Sequence, residues 1–392
     1  MNRNLWLLAI CQGLFLTNNV TFIAINGLVG LNLARLGWMA TLPVMGYVVG
    51  GALSTGMVAR TQSRFGRRVS FQLGLMVACL SALLCCYAAY SRNFWLLVAA
   101  TVVAGYYNAN AQLYRFAAAE LALPAFREKA VSLVMAGGLI GAVVGPNLAA
   151  HTRNLTPVPF AGAYLALALV ALLAMALLSF IAFAPPPAKN SQSGALQGRP
   201  LGEIMRQPVF IVAASAGALG YGVMNLLMAA TPIAMAQCGH PFSAAALVLE
   251  WHVLGMYVPS FFTGKLIKRF GVLPIMSTGL ALNVACVLFA LNGTDVMHFL
   301  GALMVLGVGW NFLYIGGSTL ATETWQPEEK TRVQAALDFC VYATMTVTSF
   351  SSGALVTTGG WTAMNLGTLL PIGLLAAALV WLGRLRRVPA LA

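Results

Sequence analysis

The amino-acid sequence predicts an all-α membrane protein with twelve transmembrane helices in two pseudo-symmetric six-helix bundles. Three observations lead to this fold class. First, 60% of the 392 residues are hydrophobic and only 8% are charged, whereas soluble domains carry roughly 25% charged residues. Second, the chain contains twelve apolar segments, each near the ~20 residues that cross a hydrocarbon core. Third, short motifs of the first half recur in the second, as in a duplicated bundle.

The apolar segments are separated by polar or Gly/Pro-containing connections, which are typical of the loops between membrane helices. In chain order they cover residues 5–29, 38–59, 69–90, 94–117, 131–150, 160–183, 207–236, 243–265, 272–293, 297–320, 332–357 and 360–383. The first segment is predicted to span the membrane and not to be a cleaved signal. Its apolar stretch is long, and no small-residue cleavage site follows it.

Basic residues predict the orientation of the chain. Of the 22 Lys and Arg residues, all but Arg35, Arg92 and Arg153 fall on the side that is cytoplasmic when the N-terminus is inside. Since cytoplasmic loops of membrane proteins are enriched in Lys and Arg, both termini are predicted to be cytoplasmic. The net charge of +13 therefore reflects contact with the lipid bilayer, and no nucleic-acid partner is expected.

A polar stretch rich in Pro, Gly and Ser runs from residue 184 to residue 200, a composition typical of a linker. The predicted domains are an N-terminal six-helix bundle at 1–183, a cytoplasmic linker at 184–206 and a C-terminal six-helix bundle at 207–392.

Several residues repeat between the two halves at nearly constant spacing. The repeated sets are Arg64-Phe65-Gly66 with Arg269-Phe270-Gly271, and Asn108 and Glu120 with Asn311 and Glu323.

The loop after the second segment resembles the signature of the major facilitator superfamily, G-x-L-x-D-R-x-G-R-R. It reads Ala59-Arg-Thr-Gln-Ser-Arg-Phe-Gly-Arg-Arg68, and its second-half copy begins Gly264-Lys-Leu-Ile-Lys-Arg-Phe-Gly271. Ser63 and Lys268 stand where the signature has its acid. The resemblance implies the major facilitator fold and a gating loop formed by Arg64, Gly66, Arg67, Arg68, Arg269 and Gly271. These arginines could bind helix C-termini or act as positive-inside anchors.

Two tetrads in the second half carry soft metal ligands inside apolar segments. They are Met224-Asn-Leu-Leu-Met228 and His252-Val-Leu-Gly-Met256. Each pair is spaced i, i+4, so its side chains share one helix face. Thioether sulfur and imidazole nitrogen suit copper, and an intramembrane His indicates a functional site. Counted from the outer ends of their helices, Met228 and His252 are expected at the same depth in the membrane. Met224 and Met256 are expected at a second, greater depth.

Other polar residues have open alternatives. Cys238 and His240 could capture a metal at the outer mouth, or be loop residues without a role. Glu250 and Asp338 could couple transport to proton flow, or be buried acids with local partners. The tetrads themselves have a plainer explanation, because Met fills gaps in helix interfaces and His hydrogen-bonds neighbouring helices.

The surrounding sequence resembles the CcoA-like (CalT) branch of bacterial copper importers. The resemblance rests on Glu250-Trp-His-Val-Leu-Gly-Met-Tyr-Val-Pro-Ser-Phe-Phe-Thr-Gly264, Gln237-Cys-Gly-His240 and Gly309-Trp-Asn311. It implies an inner-membrane secondary transporter that imports copper into the bacterial cytoplasm by alternating access, for assembly of a haem–copper cytochrome oxidase. Copper would be the transported substrate, held by the four tetrad residues, with a cytoplasmic copper chaperone as partner and no cofactor.

Two alternatives stay open. Relatives in the same branch carry riboflavin and lack the tetrads; a transporter of riboflavin or a similar organic solute would have an aromatic-lined cavity using Trp6, Tyr106, Tyr107, Trp251 and Trp310. A drug or metabolite exporter is the second alternative, since the glycines of residues 137–145 partly fit the Gly-rich fifth helix of such exporters. No nucleophile–base spacing or nucleotide loop is present, so no enzymatic activity is expected.

Overall fold

Every predicted apolar segment forms α-helix over most of its length in the computed structural model, which describes residues 3–123, 126–183, 198–326 and 328–387. The helices are α1 Arg3–Leu33, α2 Leu42–Tyr90, α3 Phe94–Ala111, α4 Tyr114–Leu121, α5 Arg127–Thr152, α6 Ala161–Ser179, α7 Leu201–Met205, α8 Pro208–Gln237, α9 Phe242–Tyr257, α10 Ser260–Phe270, α11 Val272–Leu291, α12 Val296–Ala321, α13 Lys330–Thr358 and α14 Gly360–Arg387. Within the described ranges, nine helices are long and apolar enough to cross a membrane, or ten with α9 and α10 taken as one bent span.

Helix α2 contains two predicted spans. As one straight helix its 49 residues would be ~75 Å long, more than twice the ~30 Å of the hydrocarbon core. Gly66 breaks it with φ 80° and ψ 172°, a conformation that glycine adopts at little cost. Gly271, between α10 and α11, has φ 90° and ψ 161°. The glycines of the repeated Arg-Phe-Gly motif therefore make the same turn in both halves.

Glycines allow close backbone approach between neighbouring helices. A Cβ at Gly137 of α5 would collide with the carbonyl of Ala9 on α1, and one at Gly50 of α2 would collide with the carbonyl of Val102 on α3. Helices in membranes pack this closely where side chains are small. The glycines of the fifth predicted segment thus have a packing role against α1.

The described residues group by contacts into two compact units. Unit 1 consists of the described residues in 1–190 and of Pro232–Glu250. Unit 2 consists of the described residues in 191–231 and of the described residues from Trp251 onward. The bundles predicted from chain order, 1–183 and 207–392, differ from this grouping in one place. The end of α8 and most of α9 belong to unit 1.

Aromatic packing explains why those ends belong to unit 1. Phe242, the first residue of α9, packs edge-on against Phe160 with ring centroids 5.1 Å apart. The guanidinium of Arg153 lies 5.0 Å from the Phe160 ring and 5.7 Å from the Phe242 ring, a cation–π arrangement.

The described part of the predicted linker, 198–206, is tied to unit 2 through Glu329; residues 184–197 lie outside the described residues. The Glu329 side chain is fully buried and accepts hydrogen bonds from the Arg199 backbone amide at 2.7 Å and from its guanidinium at 2.8 Å. Arg332 donates to the Arg199 carbonyl at 2.7 Å. A buried carboxylate is stable only with such partners, so the end of the linker is held at the start of α13.

We expect Glu329→Gln to lower the melting temperature at neutral pH, and this difference from the wild type to disappear in acid. Hydrogen bonding to the Arg199 guanidinium lowers the pKa of Glu329 from 4.5 to about 2. A carboxylate whose pKa is lowered on folding stabilises the folded state above its unfolded pKa, and this stabilisation is lost as the pH falls toward the folded pKa. Melting curves in detergent should therefore converge as the pH falls from 4.5 toward 2. A constant difference at all pH values would contradict this assignment.

Candidate functional site

Four aromatic rings from three helices form a cluster inside unit 2, which we call the aromatic site. Trp310 of α12 stacks on Tyr314, with ring centroids 5.0 Å apart and planes 10° from parallel. Tyr221 of α8 meets Trp310 edge-on at 5.2 Å, and Tyr257 of α9 lies 6.4 Å from it. Trp310 and Tyr314 are one helical turn apart, so both rings leave the same face of α12.

The centre of the aromatic site carries an unsatisfied hydrogen-bond donor. The Trp310 side chain is buried, and its indole Nε1 has no hydrogen-bond partner among the described residues. The rings of Tyr221, Tyr257 and Tyr314 are only half-buried. Buried indole N–H groups usually find a partner, so the site offers a donor that a ligand could satisfy, next to partly accessible ring surface.

His252 of α9 presents a second unsatisfied nitrogen. The side chain is fully buried, and its Nδ1 lies 2.7 Å from the carbonyl oxygen of Leu303 on α12. Because a carbonyl only accepts, Nδ1 must carry a proton, and in the neutral ring Nε2 keeps its lone pair. Nε2 has no hydrogen-bond partner within the described part of the chain. It can therefore bind a metal or accept a hydrogen bond from a solute.

Both helices that carry the predicted metal ligands pack against α12. On α8, a Cβ at Gly220 would lie 3.3 Å from the side chain of Leu313. On α9, a Cβ at Gly255 would lie 2.8 Å from the carbonyl oxygen of Met304. Helix α8 runs antiparallel to α12, because its earlier residue Gly217 approaches Gly317.

Both tetrads therefore lie on helices that pack against α12, and all four side chains are buried. The depth pairing expected from the sequence and the binding of a metal by the four residues stay predictions.

The other predicted polar residues lie in different places. Cys238 is exposed and His240 half-buried in the turn between α8 and α9, and Asp338 is exposed on α13. Glu250 is half-buried and accepts a hydrogen bond of 2.7 Å from Asn147 of α5. None of these belongs to the aromatic site, and their roles in metal capture or proton coupling stay predictions.

The gating-loop residues of the first half make a polar network. Arg67 forms a two-pronged ion pair with Glu120, and Arg68 donates at 2.9 Å to the carbonyl of Ser179, the last residue of α6. The second contact is the binding of an arginine to a helix C-terminus. In the second half, Glu323 pairs instead with Arg386 of α14.

The repeated arginines share one further contact. The Arg64 guanidinium lies 5.1 Å from the Phe65 ring, and the Arg269 guanidinium lies 5.1 Å from the Phe270 ring.

Of the five aromatic residues expected to line a cavity, only Trp310 belongs to the aromatic site. Trp6 and Trp251 are 53% and 43% exposed, Tyr107 packs edge-on against Phe15, and Tyr106 donates to Thr61. Tyr221, Tyr257 and Tyr314 are not among the residues expected from the sequence. The i, i+4 spacing of Trp310 and Tyr314, and the position of Tyr257 directly after the second tetrad, are the signals that could have found them.

The family model described as Major Facilitator Superfamily matches residues 5–249 and 213–391. The chain belongs to the major facilitator superfamily. It is thus a multi-pass membrane transporter and not an enzyme, and the expected fold class is confirmed. The match to a narrower copper branch is not confirmed.

Two relatives within the superfamily match the chain over nearly its whole length. The "Riboflavin transporter RfnT" of Brucella anthropi is 41% identical over 364 residues, 93% of this chain and 91% of the relative. The "Uncharacterized MFS-type transporter YdeG" of Bacillus subtilis is 28% identical over 374 residues, 92% of this chain and 87% of the relative.

A solved structure of the superfamily fold agrees with the architecture. The crystal structure of a bacterial homologue of the human lysosomal transporter Spinster, inward-facing and unoccupied, superposes with a TM-score of 0.76 at 12% identity, covering 98% of each chain. At this identity the likeness bears on the fold alone.

Proposed function

We propose that this major facilitator transports riboflavin, or a closely similar planar solute, into the bacterial cytoplasm by alternating access across the inner membrane. The observation that carries the proposal is the aromatic site, where three tyrosine rings pack around the Trp310 ring and the indole N–H has no hydrogen-bond partner among the described residues. The name of the 41% identical relative from Brucella anthropi supports the same substrate. The proposal favours the organic-solute alternative over copper.

The chemistry of the aromatic site suits a flavin. The ring system of riboflavin is planar and aromatic, with carbonyl groups along one edge. Stacking on aromatic side chains is worth about 0.5–1.5 kcal/mol per pair beyond the buried area. Two such contacts would favour a flavin over an aliphatic solute of the same size by about 1–3 kcal/mol, roughly five- to 150-fold.

Hydrogen bonding adds selectivity to stacking. The Trp310 Nε1 donor matches a flavin carbonyl, and the His252 Nε2 lone pair matches a ring N–H or a hydroxyl of the ribityl chain. A site whose buried polar groups pair only with the correct solute rejects analogues that lack the matching group.

Growth of a riboflavin auxotroph that lacks its own transporter tests the proposal. Cells that express this chain should grow at riboflavin concentrations that do not support cells with an empty vector. Added copper should not replace riboflavin. Equal growth of the two strains, with the chain present in the membrane, would contradict the proposal.

Copper import is a second candidate, favoured by His252. Its Nδ1 hydrogen bond to a carbonyl fixes the ring and directs the Nε2 lone pair away, as in many metal-ligating histidines. Met256 is one turn further along α9, and Met224 and Met228 are one turn apart on α8. Thioether and imidazole ligands suit Cu(I).

Replacing His252 by Gln separates the two candidates. The Gln side chain can still accept a hydrogen bond but is not a strong copper ligand. We expect riboflavin uptake by His252→Gln to stay within about threefold of wild type, and any copper uptake to be lost. His252→Ala should reduce both. If His252→Gln is present at normal membrane levels, loses riboflavin uptake and retains copper uptake, the result would contradict this expectation for both solutes.

A further inference from the structure

The predicted eighth span is broken beside the aromatic site. Helix α9 ends at Tyr257, α10 begins at Ser260, and their axes differ by 42°. Pro259 causes the break, because proline has no N–H to donate to the carbonyl four residues earlier and its ring crowds that turn. The next carbonyl, that of Met256, would pair with the Ser260 amide in a continuous helix.

One side chain of α12 replaces that amide. The Nδ2 of Asn311 donates to the Met256 carbonyl at 2.7 Å and to the Ser260 hydroxyl at 2.6 Å. Its Oδ1 accepts a hydrogen bond of 2.7 Å from Thr263 of α10. Asn311 is buried. It thus bonds to the last turn of α9 and to the first turn of α10, on both sides of the break.

The residues joined in this way adjoin the aromatic site. Tyr257 follows Met256 directly, and Trp310 precedes Asn311 directly. The Tyr257 and Trp310 rings lie 6.4 Å apart at 63°. The hydrogen bond from Asn311 to the Met256 carbonyl therefore sets the distance between the backbones that carry these two rings.

Among the described residues, the first-half counterpart of Asn311 makes no such bridge. Asn108 is the repeat counterpart of Asn311, and its Oδ1 has no hydrogen-bond partner among the residues that the structure describes. The corresponding helix runs from Leu42 to the turn at Gly66 without an internal proline after Pro43. A break present in only one copy of a duplicated unit points to a role beyond the shared fold, since transporters often form binding sites at broken helices.

We propose that Asn311 is a positioning residue of the aromatic site: it holds the break at Pro259 open and thereby fixes Tyr257 against Trp310. The role of Asn311 at the break stands on geometry alone. Its consequence for the solute rests on the proposed riboflavin function.

Transport kinetics test the positioning role. We expect Asn311→Ala to raise the KM for riboflavin about tenfold, because a buried carbonyl loses its donor. The maximal rate per membrane-inserted molecule should change less, since the gates are untouched. Thr263→Val, which removes the bond to Asn311 Oδ1 and the bond of the same hydroxyl to the Pro259 carbonyl, is a milder variant and should raise KM in the same direction. Asn225→Ala is the matched control, because Asn225 is also buried but binds α13.

A double-mutant cycle with Pro259→Ala tests the physical reason. Alanine at 259 restores a backbone amide and lets the Ser260 amide reach the Met256 carbonyl. In that background Asn311→Ala should raise KM by a smaller factor than in the wild type. If Asn311→Ala raises KM by the same factor in both backgrounds, the proposal that Asn311 replaces the Ser260 amide would be overturned.

Hydrogen exchange separates failure of this inference from failure of the proposed function. The backbone amides of Val258 and of residues 260–263 should exchange faster in Asn311→Ala than in Asn225→Ala. Unchanged exchange would overturn the role of Asn311 at the break, whatever the solute. Faster exchange in Asn311→Ala with an unchanged KM for riboflavin would overturn the proposal that Asn311 positions the aromatic site. A wild-type chain that carries no riboflavin would overturn the proposed function, while exchange would still decide whether Asn311 holds the break.

Discussion

Trp310→Phe is expected to weaken riboflavin transport about tenfold, and Trp310→Ala to abolish it. Phenylalanine keeps an aromatic ring against Tyr314 and Tyr221 but removes the indole N–H, which has no partner among the described residues. The loss therefore measures a hydrogen bond to the solute and not a bond within the chain. Alanine removes the whole ring and leaves a cavity, a change that costs about 3–5 kcal/mol in buried sites.

The matched control is Trp251→Phe, the same substitution on α9 at a ring that is 43% exposed and lies outside the aromatic site. Membrane levels of each variant, measured by an epitope tag, separate transport from folding. Trp310→Phe with a wild-type KM for riboflavin would show that the indole N–H does not bind the solute.

Gly50→Ala is expected to destabilise the chain by at least about 1–3 kcal/mol, the usual cost of overpacking. The added methyl group would collide with the Val102 backbone of α3, and a Cβ at the facing Gly105 would likewise collide with the Gly50 backbone. Backbone atoms cannot move aside as a flexible side chain can, so α2 and α3 would have to separate. The melting temperature in detergent and the amount of protein in the membrane should both fall.

Gly56→Ala is the matched control on the same helix. A Cβ at Gly56 meets no atom within 4 Å, and alanine favours helix over glycine by about 1 kcal/mol. Its melting temperature should equal or exceed that of the wild type. Gly50→Ala and Gly56→Ala with the same melting temperature would contradict the close packing of α2 and α3.

Much of the fold can be predicted from the sequence, because apolar length and loop composition are read directly from it. The repeated Arg-Phe-Gly motif also indicates its turn, since Gly66 and Gly271 both have positive φ. The grouping of Pro232–Glu250 with unit 1 could not be predicted, because it depends on which neighbours Phe242 contacts. The break at Pro259 has a visible signal, a proline inside an apolar run.

The candidate site is harder to predict for a physical reason. Spacing shows that Met224 and Met228 share a helix face, and likewise His252 and Met256. It does not give the rotation of that face toward another helix. The contacts of Tyr221 and Tyr257 with Trp310 depend on such rotations. The tetrads therefore favour copper, whereas the 41% identical relative and the aromatic site favour a flavin.

Uptake of radiolabelled riboflavin tests the central claim most directly. Cells without their own riboflavin transporter would express the wild type, Trp310→Phe or an empty vector, with membrane levels checked and copper accumulation measured in parallel. We expect saturable riboflavin uptake by the wild type, competition by unlabelled riboflavin, and a higher KM for Trp310→Phe. Wild-type cells that accumulate no more riboflavin than vector cells but more copper would contradict the proposed function.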